Sequence, residues 1–230
     1  MQIDVLDRGY IRLVGNFGSD LEVVNAARVS YDKSVDSLES KDERLLEFLI
    51  KNKHDSTLRH CTISFEVYAP LMVARQWYKH TIASTYIDDQ NGWNESSRRY
   101  VTEEPVFHVP KTWRLAPEHS KQGSGGNMSP EMSQRLYARF KYHVEESVNL
   151  YNQLLTIGAA TEQARLFLPA YAMYVRWRWT TSLNAALHFC SLRQADDAQS
   201  EIREYGDAVF SILEQLYPLS TRYWKEHRLG

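Results

Sequence analysis

Between Cys61 and Ala69 the chain alternates without a break. Cys61, Ile63, Phe65, Val67 and Ala69 fall on one side, and Thr62, Ser64, Glu66 and Tyr68 on the other. A period of two is the pattern of a strand half-buried against a core. Pro70 follows at once, at a place where proline opens a helix. The fold must therefore contain a sheet that feeds directly into helical structure. A second β signal lies at the start of the chain. IDVL and YIRLV are short β-prone runs separated by Asp7-Arg8-Gly9, which reads as a hairpin.

Most of the remaining signals are helical. A helix is expected over Leu21–Val29, and Ser40-Lys41-Asp42-Glu43 reads as a capping box ahead of LLEFLIKN. Val101–Pro110 is expected as another strand. Ala116–Met128, with QGSGGN at its centre, is expected as a mobile surface loop. Ser129-Pro130-Glu131 starts a long helix with a cap, a proline in the first turn and an early acid. Its Met132, Leu136, Phe140, Val144, Val148, Tyr151 and Leu155 recur at helical spacing, and Gly158 ends it. Thr161 caps a short helix interrupted by Pro169; Ser182–Arg193 and Ala198–Leu216 are further helical pieces, the latter stopped by Pro218. There is no internal repeat and no clean linker, so residues 1–230 read as one α+β domain with a helical C-terminal half.

Composition narrows the function. At 230 residues, 43% hydrophobic and 24% charged, the chain is long enough for one substantial core. A net charge of −2 argues against a general nucleic-acid binder, so any anionic ligand is met by local arginines rather than a global field. No apolar run approaches the ~20 residues needed to span a bilayer, and MQIDVLDRGY lacks the apolar core of a secretory leader. Cys61 and Cys190 have no CxxC spacing and read as two free thiols of a reducing, cytoplasmic compartment. No partner membrane and no partner nucleic acid are expected.

The stretch from Arg75 to Tyr100 carries the chemistry. It brings together Gln76, Lys79, His80, Ser97, Arg98, Arg99 and Tyr100, with a helix expected to near Ser84 and a polar loop after it. Gln76 and His80, four residues apart, are expected on one helix face. Arginine presents a planar fork that matches phosphate oxygens, and serine hydroxyls and backbone N–H groups complete such a cradle. A lone SxRR would more often be a solvated turn; beside an aromatic helix carrying Gln76 and His80 it reads as an anion site.

The order Arg75-Gln76-Trp77, His80, Ser84, then Asn94-Glu95-x-Ser97-x-Arg99-Tyr100 resembles the signature of the flavin-dependent thymidylate synthases. Lys79 and Thr81 stand where that family usually has arginines, and Tyr86–Gly92 looks like an insertion. Three more segments are similar to the family in the right order: AARVS at Ala26–Ser30, KHDSTLRH at Lys53–His60, and QARLFLPA followed by NAALHFCSLR up to Arg193.

The resemblance implies an α+β fold with a small, mainly antiparallel sheet flanked by helices, assembled as a homotetramer whose active sites form between subunits. It implies reductive methylation of dUMP to dTMP. Methylenetetrahydrofolate is the carbon donor, and FAD reduced by NADPH is the hydride source. Gln76, Trp77, Tyr78 and Lys79, with Glu95, Ser96, Ser97, Arg98, Arg99 and Arg165, would hold the nucleotide. Arg193 would lie against the pyrimidine and act as the catalytic group. A fixed positive charge there favours N3 ionisation or enolate character and raises electron density at C5, with no protein nucleophile. His54, Ser56, Lys79, His80, Thr81, Asn94 and Glu95 would line FAD, together with Ser182, Leu183, Asn184 and His188.

Read without the resemblance, several of these residues have plainer roles. Arg193 is a helix-end cation that complements the macrodipole, Arg165 a surface arginine, and His188 a core histidine. Other chemistries lack their motifs: there is no GxGxxG after a strand and no GxxxxGK[ST]. His54, His60 and Cys61 match no common zinc spacing, so no metal is expected. Cys61 and Cys190 read as small core residues rather than nucleophiles. Two further readings differ in class: a nucleotide-binding homologue that has lost flavin through Lys79 and Thr81, and a single-strand binder using the six Trp and fourteen Tyr.

Overall fold

The alternating segment forms β3 (Thr62–Pro70), with Cys61, Ile63, Phe65, Val67 and Ala69 fully buried. The computed structural model describes residues 1–80, 92–97, 103–118 and 123–229. Among them, β1 (Gln2–Val5), β2 (Gly9–Phe17), β3, β4 (Gly92–Glu95) and β5 (Tyr174–Ser182) build one five-stranded sheet in the order β1-β2-β3-β5-β4. Every pairing in it is antiparallel. The hairpin expected at the start of the chain is β1–β2, with Val5 opposite Gly9. A bulge between Leu13 and Gly15 interrupts the β2–β3 register.

The long central pair is β3–β5, running from Thr62 opposite Ser182 to Pro70 opposite Tyr174. Nothing in the expected pattern of helices anticipated β5. Its alternation is nevertheless sharp: Val175, Trp177, Trp179 and Thr181 are buried, while Arg176, Arg178 and Thr180 are exposed. The C-terminal half is therefore helical only on either side of a central strand.

Helices cover the apolar face. In chain order they are α1 (Asp20–Arg28), α2 (Ser40–Lys51), α3 (Leu71–Tyr78), α4 (Pro130–Thr156), α5 (Thr161–Ala164), α6 (Leu183–Arg193), α7 (Ser200–Leu216) and α8 (Pro218–His227). Trp77 of α3 sits at the middle of an aromatic cluster: its ring lies 4.3 Å from Phe189, 5.2 Å from Trp179 and 5.4 Å from Trp177. Such side chains each bury roughly 150–250 Å² and dominate a core energetically.

Several boundaries differ from expectation, each for a local reason. The cap of α2 is Glu39 rather than Ser40, because the Asp42 carboxylate accepts the Glu39 N–H at 3.0 Å while pairing with Arg28. α3 ends at Tyr78, so Gln76 and His80 do not share a helix face. Among the described residues of Val101–Pro110 there is no strand; Pro105 and Pro110 flank a single bridge, Phe107 to Met173. Either side of the glycine-rich segment is anchored among the described residues, where the Leu115 N–H donates to Gly126 O at 2.9 Å and the Met128 N–H to Trp113 O at 2.8 Å. α4 starts as expected, with Ser129 Oγ accepting the Met132 N–H at 3.2 Å. α5 begins one residue early, with Ala160 as its cap and Thr161 already inside. α7 ends at Leu216 ahead of Pro218, as expected, and Pro218 also opens α8, whose first turn is held by buried Asp20. That carboxylate accepts from Leu219 N at 2.8 Å, Ser220 N at 3.0 Å and Ser220 Oγ at 2.5 Å. A second long-range tie joins the β1–β2 turn to the start of β5: Asp7 accepts from Tyr174 Oη at 2.7 Å and meets His108 Nδ1 at 2.6 Å.

Candidate active site

Two strands end where two functional helices begin. β3 runs through Pro70 into α3, which carries Gln76. β5 runs into α6, whose N-terminus is capped by Ser182 Oγ accepting the Ala185 N–H at 3.2 Å. α6 is buried almost all round, and it carries Asn184, His188 and Arg193 in turn. Nine residues of α-helix set Asn184 and Arg193 about 13 Å apart along the axis.

At the start of α6 the structure gathers a histidine pair. The His80 and His188 rings lie 5.7 Å apart at 36°. His80 Nε2 is 3.2 Å from the Ala185 carbonyl oxygen, which can only accept, so Nε2 carries the proton and Nδ1 is an acceptor. Burial, with smaller effects from His188 and Arg193, pushes the His80 pKa down to about 4, so the ring is neutral at pH 7. Burial likewise lowers His188, helped by the Arg228 charge. Arg228 lies 2.5 Å from Asp55 and 3.8 Å over the Trp224 ring. Both amide atoms of Asn184, the Nδ1 of His80 and the Nδ1 of His188 are buried without a hydrogen-bond partner among the described residues. Buried polar atoms are costly when unmet, and these four have no partner among the described residues. A polar, planar heterocycle with donors and acceptors along its edge fits this set, as the isoalloxazine of FAD does.

At the other end of α6, Arg193 Nη2 donates to the Gln76 carbonyl oxygen at 3.1 Å, and its Nε is buried without a partner among the described residues. Burial alone lowers the Arg193 pKa, which leaves a guanidinium that is still a cation. Gln76 and Arg193 line a cleft of about 650 Å³ together with Ser124, Asp197 and Gln199.

The other expected nucleotide residues collect elsewhere. Glu95, Ser96, Ser97 and Arg165 line a separate cleft of about 640 Å³, with Tyr68 and Arg176 beside them. Ser96 is fixed there by β5: its N–H donates to Arg176 O at 2.8 Å and its Oγ accepts from Arg176 N at 3.0 Å. Arg165 is exposed, and its Nε donates to Glu162 O at 3.3 Å. A third hollow, of about 550 Å³, is lined by Arg75, Tyr78, Glu95 and Tyr171.

The remaining expected residues divide three ways. Lys79, Tyr78 and Asn94 are exposed, as are His54, edge-on to Phe48 at 5.6 Å, and Ser56. Trp77 and Leu183 have their side chains in the core, at 1% and 0% exposure, so any part they take in the site is through their backbone. Thr81, Arg98 and Arg99, with Ser84 and Tyr100, lie outside the described residues. Three residues that the sequence reading did not single out belong beside Gln76. Gln76 donates to Gln199 Oε1 at 2.5 Å, Gln199 donates to Glu201 Oε2 at 2.8 Å, and Arg114 donates to Glu201 Oε1 at 2.6 Å. Their only sequence signal was a polar pair at the start of an amphipathic helix, which ordinarily reads as capping.

The two cysteines are both buried. Burial pushes the Cys61 thiol up to about 12, and it pushes Cys190 well above the ordinary range too. Neither is a thiolate at neutral pH, which removes both as nucleophiles. Among the described residues no helix is long and apolar enough to cross a membrane.

Comparison with known proteins agrees on one family. The family model for thymidylate synthase complementing protein matches residues 12–219. A flavin-dependent thymidylate synthase of Thermus thermophilus is 35% identical over 229 residues, spanning 100% of this chain and 80% of that protein. Another, of Thermotoga neapolitana, is 35% identical over 218 residues, spanning 95% and 91%. Among solved structures, the UMP/dUMP methylase PolB from Streptomyces cacaoi, bound with 5-Br dUMP, superposes with a TM-score of 0.83. It shares 27% identity, with 99% of each chain covered.

Proposed function

This chain belongs to the thymidylate synthase complementing protein family, the flavin-dependent thymidylate synthases, and from that premise we propose that it is a single-domain enzyme methylating dUMP to dTMP. The observation that carries the reading is the placement of α6. One helix presents Asn184 and His188, with buried polar atoms unpartnered among the described residues, at its start and a half-buried guanidinium, Arg193, at its end.

Asn184, His80 and His188 would hold FAD, with Ser182, Lys79, Thr81, Asn94 and Glu95 at its margins and His54 and Ser56 on the outer side. When bound, that group supplies the hydride that completes the methyl, and NADPH restores it; methylenetetrahydrofolate supplies the carbon. The chain's own residues supply position and charge. Arg193 would lie against the uracil carbonyl region and stabilise negative charge on the base, which makes C5 nucleophilic. The neutral His80 ring would present an acceptor, Nδ1, without adding a second positive charge. Ser97, Arg98, Arg99 and Arg165 would take the phosphate, for which guanidinium forks are well matched.

Within one chain, Arg165 with Ser97 and Arg193 with Gln76 line different clefts. That separation supports a site assembled between subunits. So does the exposure of Tyr142, Leu150, Ile157, Leu166 and Phe167 on and after α4, surface that a homotetramer would cover. The enzyme would act in the cytoplasm.

The test is direct. The purified protein should show a stoichiometric flavin band, bleached by NADPH, and should convert dUMP to dTMP when methylenetetrahydrofolate is added. A colourless protein that cannot be reconstituted with FAD would overturn the reading and leave nucleotide binding alone.

A further inference from the structure

An amide side chain is ambiguous by nature: turned over, it offers a donor where it offered an acceptor. Gln76 is not free to turn. The constraint begins at Glu201, which is buried at 5% exposure and paired with Arg114 at 2.6 Å. Burial pushes this carboxyl up, but the hydrogen bonds from Arg114 and Gln199 outweigh it and hold the group ionised. A carboxylate only accepts. Gln199 must therefore turn its NH2 toward Glu201 (2.8 Å) and its Oε1 toward Gln76. An amide oxygen also only accepts, so Gln76 must turn its own NH2 toward Gln199, at 2.5 Å. The orientation follows from the charge at the far end of the relay.

The polarity emerges in the cleft. Gln76 Oε1 has no partner among the described residues, and Gln76 lines the cleft beside Arg193. We infer that the relay Arg114–Glu201–Gln199 is a specificity device that fixes Gln76 as a hydrogen-bond acceptor toward the pyrimidine, so that the site accepts uracil and rejects cytosine. This rests on the proposed dUMP site. Uracil offers N3–H between two carbonyl oxygens; it can donate to Gln76 Oε1 while a carbonyl meets Arg193. Cytosine offers a bare N3 and an amino group, which would set acceptor against acceptor at Gln76. Turning Gln76 to suit cytosine would set its oxygen against Gln199 Oε1, and turning Gln199 would set an oxygen against the Glu201 carboxylate. Glu201 and Gln199 are positioning residues here, acting only through Gln76.

The experiment is equilibrium dialysis of the flavin-loaded full chain with labelled dUMP and dCMP. The wild type should favour dUMP by about a hundredfold or more, the scale at which buried mismatched polar groups discriminate. Glu201→Gln gives Gln199 a partner that can donate as well as accept, so the relay can reverse. Its dUMP:dCMP preference should fall at least tenfold. Gln199→Met, which leaves the Arg114–Glu201 pair intact, should lower the preference similarly and serves if the first variant does not fold. A merely structural role would weaken both nucleotides together; an unchanged ratio in either folded variant overturns the relay, as does a wild type with no preference. Failure of the wild type to bind dUMP would instead overturn the proposed function.

Discussion

The Arg193 guanidinium donates to the backbone oxygen of Gln76 across 117 residues of sequence, at 3.1 Å. This one contact joins α3 to the last turn of α6 and fixes the position of the cation before any ligand arrives. Preorganised charge of this kind, in a partly water-excluded cleft, is worth more than the same charge in water, because nothing has to reorient as the reaction proceeds.

Arg193→Ala should therefore lower turnover by roughly 10²–10³ while leaving flavin content unchanged. Arg193→Lys should rescue little, since an ammonium cannot both hold the Gln76 carbonyl and present a planar fork. Steady-state kinetics together with the visible spectrum separate the two effects. Unchanged turnover in the alanine variant would remove Arg193 from the mechanism.

Cys61→Ala and Cys190→Ala should both remain active, because both thiols are buried and neither ionises near neutrality. The cost should fall on stability, at about 1–2 kcal/mol for a small cavity. Loss of dTMP formation in a variant with a native circular dichroism spectrum would bring back a covalent thiol route.

Acid should destabilise the protein partly through His80. Its pKa falls from the ordinary 6.5 to about 4 on folding. Between those values the unfolded chain binds the proton and the folded chain does not, so stability is complete above about pH 6.5 and drains away as the pH drops toward 4. The full effect is on the order of 3 kcal/mol. Melting temperatures at pH 7.5 and 5.0 test it: His80→Gln should narrow the gap between them. An equal gap in wild type and variant would assign the acid sensitivity to other groups.

Asp20→Ala should be among the more damaging single changes away from the active site. It strips the N-terminus of α8 of its three hydrogen bonds from Leu219 and Ser220 and leaves buried donors unpaired. A loss of about 2–4 kcal/mol is expected, visible as a lower urea midpoint with an unaltered slope.

How much of this could be read from the sequence depended on the distance over which each residue finds its partner. The Cys61–Ala69 strand announced itself through alternation, and α4 through its Ser129-Pro130 start and Gly158 end, because those signals are local. β5 carried an alternation just as clear in Val175, Trp177, Trp179 and Thr181, yet its interleaved arginines and its place among helical segments obscured it. Pro218 read only as a stop, because a proline after a helix and a proline in the first turn of the next look alike without the Asp20 contact 199 residues away. The site behaved in the same way. Arg193, His188 and Asn184 could be picked out on their helix, and Gln76 on its own. The Gln199–Glu201 relay could not, since it gains meaning only when folding brings it against Gln76. Trp77 and Leu183 sit within the motifs, but their side chains serve the core.

The antiparallel pair β3–β5 has a further consequence. α3 departs from one end of it and α6 from the other, with Pro70 opposite Tyr174 and Thr62 opposite Ser182. Nine residues of strand span about 30 Å, and α6 has to travel back over roughly half that length for Arg193 to reach Gln76. The sheet thus works as a gauge bar, and the two helices as jaws whose gap it sets. Damage to the gauge, such as trimming Trp179 where it stacks on Phe65 at 5.7 Å, would shift the jaws by fractions of an ångström long before the fold gave way. Catalysis in this protein should be the first thing lost to a worn core, and unfolding the last.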